Sequence, residues 1–216
     1  MRQKTLGGNR IHPPLVFVYL GNELPSYSRA ALRFAANGYR GNVTVLTDVA
    51  GPIQRTAGVV QQSIVDWYDP KPFKSFRDKT SLDRHFRSGF WLHVVERFFV
   101  LRQFMEQFGH SRLFHTELDV MVFDLNGVAE ACDQHGSGGF AVMDDSSRAL
   151  ASLFYVNSAE KFDHFLSFAL SKVDMRNEME MIGSYLQEFP TNGHSLPSDR
   201  FFDRRAHPLS PSAVDN

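Results

Sequence analysis

The apolar positions of the chain alternate between continuous runs and helical stripes. Leu15–Leu20 (LVFVYL) is an unbroken β-prone run, as expected for a strand buried on both faces, and Gly21-Asn22 ends it. A helix is predicted from Ser26 to Ala36, with Pro25 near its start and Asn37-Gly38 as its stop. Asn42–Thr47 reads as the next strand, closing at Asp48 ahead of Gly51-Pro52. Strand, helix, strand in this order predicts a right-handed parallel βαβ unit. Gln62–Trp67 is read as a short third strand. Phe90–Phe108 carries Trp91, Val94, Val95, Phe98, Leu101, Met105 and Phe108 at three- and four-residue steps, the stripe of a buried helix, with Gly109 as its stop.

Leu113–Phe123 (LFHTELDVMVF) is then predicted as one extended strand in the middle of the sheet. Side chains alternate across a strand. Phe114, Leu118, Val120 and Val122 would therefore face the core, and His115, Glu117 and Asp119 would share the other face. Charges in so apolar a strand need partners, a metal or solvent. Glu117 and Asp119 are accordingly expected where the strand runs out into a cleft. Beyond Asp124–Gly127, a short helix at Val128–Cys132, a Gly136–Gly139 link and strands at Phe140–Asp144 and Leu150–Val156 follow. Ser158 is read as the cap of a helix carrying Phe162, Phe165, Leu166, Phe168 and Ala169, a last helix spans Arg176–Phe189, and the chain from Pro190 is loop-like. The predicted fold is α/β, a single domain over 1–216 with a Rossmann-like mixed, mainly parallel sheet flanked by helices, and with flexible ends at 1–13 and 209–216.

Composition narrows the function classes. A formal net charge of -1 gives no bulk attraction to nucleic acid or an anionic membrane. Leu15–Leu20 is too short for a signal core or a membrane span. The single cysteine, Cys132, forms no internal disulfide and fits a reducing compartment, so a cytoplasmic location is expected. No G-x-G-x-x-G, P-loop, G-x-S-x-G or zinc-type spacing is present. The polar stretch Tyr68–Arg87, with Lys71, Lys74, Arg77, Lys79, Arg84 and Arg87, reads either as a solvated connection or as a mobile basic flap over a phosphate-bearing ligand.

Two carboxylates spaced i, i+2 beyond a buried strand can share one hard divalent cation, whose shell substrate phosphates complete. Arg97 on the long helix, then F-H-T-E-L-D-V-M-V-F, then D-L, resembles the region around the D-x-D motif of type A glycosyltransferases (the GT-A fold). The resemblance covers the order of elements over roughly residues 13–190. It implies transfer of a sugar from a nucleotide-sugar donor to an acceptor, assisted by Mn²⁺ or Mg²⁺. Carried over by position, Asp119 binds the metal, and Glu117 faces the ribose or a metal-bound water. Arg97 lies near the diphosphate, or else pairs with a surface acid. Gly21, Asn22 and Asp48 approach the base and ribose, Asp48 being equally readable as a turn acid. Glu117 stands where the family motif has Asp.

Further candidates are less distinctive. Glu178, with Asn177 and Glu180 in M-R-N-E-M-E-M-I, matches an acid that related enzymes place near a late helix start to take the acceptor's proton; helix-dipole stabilisation explains it as well. Asp144-Asp145 are turn residues or sugar ligands. His194 and His207 are surface histidines or a third metal ligand, and His115 is a ligand or a hydrogen-bonded support for one. The chain is short for the family, which leaves room for an acceptor site shared within a homo-oligomer. The alternative function is a glycosyltransferase-like domain that binds a ligand or partner without catalysis. A nucleotidyltransferase lacks support because no glycine-rich phosphate loop follows the first strand.

Overall fold

The computed structural model describes residues 12–21, 24–49, 56–125, 127–134, 140–144 and 149–195. The elements are β1 (Leu15–Tyr19), α1 (Ser28–Gly38), β2 (Val43–Thr47), β3 (Val59–Ser63), α2 (Lys71–Lys79), α3 (Phe90–Phe108), β4 (Leu113–Thr116), α4 (Val128–Gln134), β5 (Phe140–Asp144), β6 (Ala149–Val156), α5 (Ala159–Ser171), α6 (Glu178–Glu188) and β7 (Gly193–Ser195). The strands form one sheet in the order β3-β2-β1-β4-β6-β5-β7. All pairings are parallel except those of β6, which runs antiparallel between β4 and β5. This is the mixed, mainly parallel α/β sheet expected from the sequence.

Helices cover both faces. On one side α2, α3, α5 and α6 bury Phe73, Phe76, Phe98, Phe99, Phe165 and Tyr185 against Val16, Leu46 and Phe154. On the other, α1, α4 and the segment after β4 bury Leu32, Ala35, Leu118, Val122 and Cys132 against Phe17, Val45 and Phe114. Burial pushes the Cys132 thiol up to about 11, which leaves it unreactive. Gly89 opens α3 at φ 90°, a left-handed conformation that disfavours any side chain. Gly109 closes it at φ 67°, with the His110 N–H donating to the Met105 carbonyl at 2.8 Å. Among the described residues no helix is long and apolar enough to cross a membrane.

Four expectations need correction. First, the third strand lies at Val59–Ser63, and Ile64–Trp67 is a turn whose Trp67 and Tyr68 N–H groups donate to the Ile64 carbonyl. An edge strand paired only to β2 needs little apolar content, so the more hydrophobic neighbouring run was misleading. Second, Tyr68–Arg87 contains α2: Phe73 and Phe76, one turn apart, are buried, Pro72 sits in the tolerant first turn, and Arg77 and Lys79 complement the helix dipole. Third, β4 stops at Thr116 instead of running to Phe123. Fourth, Gly193–Ser195, read as loop, adds β7 beside β5. Of the expected flexible ends at 1–13 and 209–216, His12 and Pro13 are described, Pro13 being buried with its carbonyl accepting from the Tyr39 hydroxyl, and the rest lie outside the described residues.

Candidate active site

The site forms where β1 and β4 leave the sheet at their carboxyl ends. Glu117-Leu118-Asp119-Val120 turns there, closed by the Val120 N–H donating to the Glu117 carbonyl at 3.1 Å. The turn is pinned to β6, because the Ser152 carbonyl accepts from the Glu117 N–H at 3.1 Å and from Thr116 Oγ1 at 2.8 Å. Leu118 is buried in the core between its two acidic neighbours. Glu117 and Asp119 both line a cleft of about 330 Å³. Its other walls are Val18, Tyr19 and Leu20 at the end of β1, Pro25 and Tyr27 ahead of α1, and Arg87, Phe90, His93, Val94 and Arg97 around the start of α3.

Arg97 is the floor. Its side chain is 7% exposed, and Nη1 forms a short ion pair with Glu117 Oε1. Nη2 stands 3.9 Å from Oε1 of Glu178, the first residue of α6, whose side chain is 8% exposed. Burial raises the Glu178 carboxyl above its ordinary range, and Arg97 partly opposes that shift. His115 is fully buried beneath the same node. Burial and the Arg97 charge hold its imidazole well below the usual histidine range, so the ring is neutral. Nδ1 lies 2.9 Å from the Val16 carbonyl, which requires that nitrogen to carry the proton and donate it. Nε2 of His115, Nε and Nη2 of Arg97 and Oε2 of Glu178 are buried without a hydrogen-bond partner among the described residues.

The rim is more open. Asp119 is exposed, and no ion pair or hydrogen bond among the described residues occupies its carboxylate. Arg87 is the one member of the proposed basic flap that lines the cleft. It sits at φ 45° next to Ser88 at φ 57°, with its guanidinium 5.3 Å from the centre of the Phe86 ring. His93 is raised above the ordinary imidazole value, chiefly by the Glu96 carboxylate, whose Oε2 lies 3.8 Å from its Nδ1. Asp48 Oδ1 accepts from the Gly21 N–H at 2.9 Å, so this acid ties the exit of β1 to that of β2.

Of the residues singled out from sequence, Glu117, Asp119 and Arg97 meet in the cleft, while Glu178 lies behind Arg97 and is not among the cleft-lining residues. Asn177 caps α6, its side chain accepting from the Glu180 N–H at 2.9 Å, and Glu180 pairs with Arg176 at 2.8 Å. Asp144 ends β5 and His194 lies in β7; their side chains, and residues Asn22, Asp145 and His207, lie outside the described residues. Sequence reasoning missed Tyr19, Tyr27 and Phe90. Tyr19, the one polar tip in its strand, and Tyr27, beside Pro25 at a helix start, were the available signals. Among the described residues no group of three or more His, Cys, Asp or Glu side chains is placed to hold a metal. The donor set in the cleft is two carboxylates on one turn, which fits a hard cation that takes most of its shell from phosphate and water.

Comparison with solved structures gives the PaToxG glycosyltransferase, superposing with a TM-score of 0.54 at 13% identity over 83% of this chain and 70% of that one. The chain has a glycosyltransferase-like fold. The glycosyltransferase GlyE of Streptococcus pneumoniae TIGR4 is a weaker likeness, with a TM-score of 0.48 at 10% identity over 89% of this chain and 47% of that one, and the fold assignment does not rest on it. No sequence-family profile and no curated protein matches the chain. In this glycosyltransferase-like fold the acidic turn and Arg97 occupy the edge where open α/β sheets bind ligands, beyond the carboxyl ends of the strands.

Proposed function

We propose that the protein transfers a sugar from a nucleotide-sugar donor to an acceptor hydroxyl. The observation that carries this reading is the pairing of Glu117 and Asp119 on one turn, facing one cleft, in a glycosyltransferase-like fold. In the reaction the acceptor hydroxyl gives up its proton to the departing diphosphate or to solvent, its oxygen bonds to the anomeric carbon, the bond from that carbon to the diphosphate breaks, and the nucleoside diphosphate leaves. Asp119, with the Glu117 oxygen that Arg97 does not engage, would hold Mn²⁺ or Mg²⁺. The cation supplies charge to offset the departing diphosphate. Arg87 and His93, which line the same cleft, add positive charge toward the same anion. Tyr19, Tyr27 and Phe90 offer flat apolar surface to the base or the sugar.

The test is titration of uridine diphosphate with and without Mn²⁺, alongside release of nucleotide from candidate nucleotide-sugars. Asp119→Asn is expected to abolish Mn²⁺-dependent nucleotide binding while leaving the unfolding curve unchanged, because the side chain is exposed. Unchanged affinity in that variant refutes the assignment of Asp119. A second reading, a binding domain without turnover, is favoured by the ion pair that already engages Glu117. Nucleotide binding with no transfer to any acceptor, water included, would select it.

A further inference from the structure

We infer that Glu178 is a positioning residue: it acts on the acidic turn through Arg97 and sets how strongly Glu117 is drawn away from the cleft. This inference rests on the proposed use of the acidic turn. One guanidinium stands between two carboxylates. It is bonded to Glu117 and held 3.9 Å from Glu178, too far for a hydrogen bond. Arg97 and Glu178 are both more than nine-tenths buried, so their attraction is weakly screened. Unused hydrogen-bonding capacity remains at the node, at Arg97 Nε and Nη2, Glu178 Oε2 and His115 Nε2, and Nη2 is the Arg97 atom that stands toward Glu178. Arg97 is therefore divided between the two acids, and its share toward Glu178 is not saturated.

The three residues come from three elements. Glu178 opens α6, its backbone fixed by the Asn177 cap. Arg97 lies mid-way along α3, and Glu117 follows β4. His115 turns its Nδ1 away from the node, 2.9 Å from the Val16 carbonyl of β1. Glu96, the other acid on this stretch of α3, faces Tyr68 and His93. With Glu178 neutralised, the whole positive charge of Arg97 falls on Glu117, which then offers less negative charge to a cation or a ribose hydroxyl. A residue that never touches the ligand thus tunes the ligand-facing acid.

Two measurements test this. The first is a double-mutant cycle of Glu117→Gln and Glu178→Gln, read as unfolding equilibrium constants. Coupling through Arg97 predicts non-additivity of about tenfold between two carboxylates that do not bond to each other. It predicts the loss of that non-additivity when Arg97 is replaced by Met. The second is the affinity for Mn²⁺ alone, without donor or acceptor, expected to fall about fivefold in Glu178→Gln, with Glu178→Asp restoring part of it. An additive cycle overturns the inference. So does a Glu178→Gln variant whose Mn²⁺ affinity is unchanged while kcat collapses, because that pattern belongs to a base at the reacting atoms. Should the wild-type chain bind neither Mn²⁺ nor uridine diphosphate while the cycle stays non-additive, the transferase reading falls and the positioning role stands.

Discussion

Replacing Arg97 by Met tests the electrostatic account of the site most directly. Met keeps an unbranched apolar stem for the packing around Phe98, over whose ring the guanidinium sits at 5.5 Å, and deletes only the charge. Two acids lose their cation. Glu117, at 27% side-chain exposure, keeps contact with solvent and suffers little. Glu178, at 8%, does not. An uncompensated buried charge of this kind costs about 3–5 kcal/mol, which for a chain of this size lowers Tm by about 6–20 °C.

Glu178 escapes part of that cost by taking up a proton, which fixes the pH dependence. Its folded-state pKa is already above the ordinary glutamate range. The native state therefore binds more protons than the unfolded state between the ordinary value and the raised one, and stability falls as pH rises through that window. Removing Arg97 raises the folded value further, so the window widens upward. Urea unfolding near pH 5 and near pH 8 should find the Arg97→Met deficit smaller at the acid end. The double variant Arg97→Met/Glu178→Leu should recover most of the loss, since a buried pair replaced by apolar groups is near neutral. A deficit below about 1 kcal/mol, equal at both pH values, would refute the claim that these charges are buried and coupled.

Three further outcomes are expected. In Gly38→Ala the new Cβ would lie 1.9 Å from the Phe123 carbonyl oxygen, so the segment after the acidic turn must shift; a loss of about 1–3 kcal/mol in chemical denaturation and weaker nucleotide binding should appear together. His115 has a lowered folded-state pKa, so its contribution is complete above the ordinary imidazole value of about 6.5 and is lost as pH falls toward the lowered value. That acid-side decline should be absent from His115→Leu, and its persistence would show that other groups cause it. In a thermal unfolding scan Asn177→Ala should cost about 1 kcal/mol through loss of the α6 cap, while Asn177→Asp, which keeps the acceptor, should cost little.

The apolar pattern carried most of the architecture. Leu15–Phe17, Val43–Thr47 and the α3 stripe from Val94 to Met105 are buried where the pattern says they should be, whereas Val18, Tyr19 and Trp91 are part-buried and Phe108, at the end of the stripe, is exposed. The pattern failed where burial is not the determinant. β3 is an edge strand, and α2 hides two phenylalanines among lysines. The length of β4 was misjudged because the residues after Thr116 are apolar for another reason: Leu118 and Val122 anchor a turn to the core without entering the sheet. The acids of the site were legible because carboxylates inside an apolar run need a reason. The tertiary role of Glu178 was not, since nothing local distinguishes an acid that a helix dipole favours from one that another helix needs. Glu178 sits far from Arg97 in sequence, and only the packing of α6 brings them together.

The route of the chain through this node has a consequence for how the molecule assembles. α3 and β4 are consecutive and joined by only Gly109–Arg112, so Arg97 and Glu117 meet across a single short reversal. Contacts that close small loops form with little entropic penalty, and distant ones wait. The arginine and its first acid should therefore be joined early in folding, with α6 docking afterwards. Substitutions at Glu117 would then slow refolding, whereas substitutions at Glu178 would mainly speed unfolding.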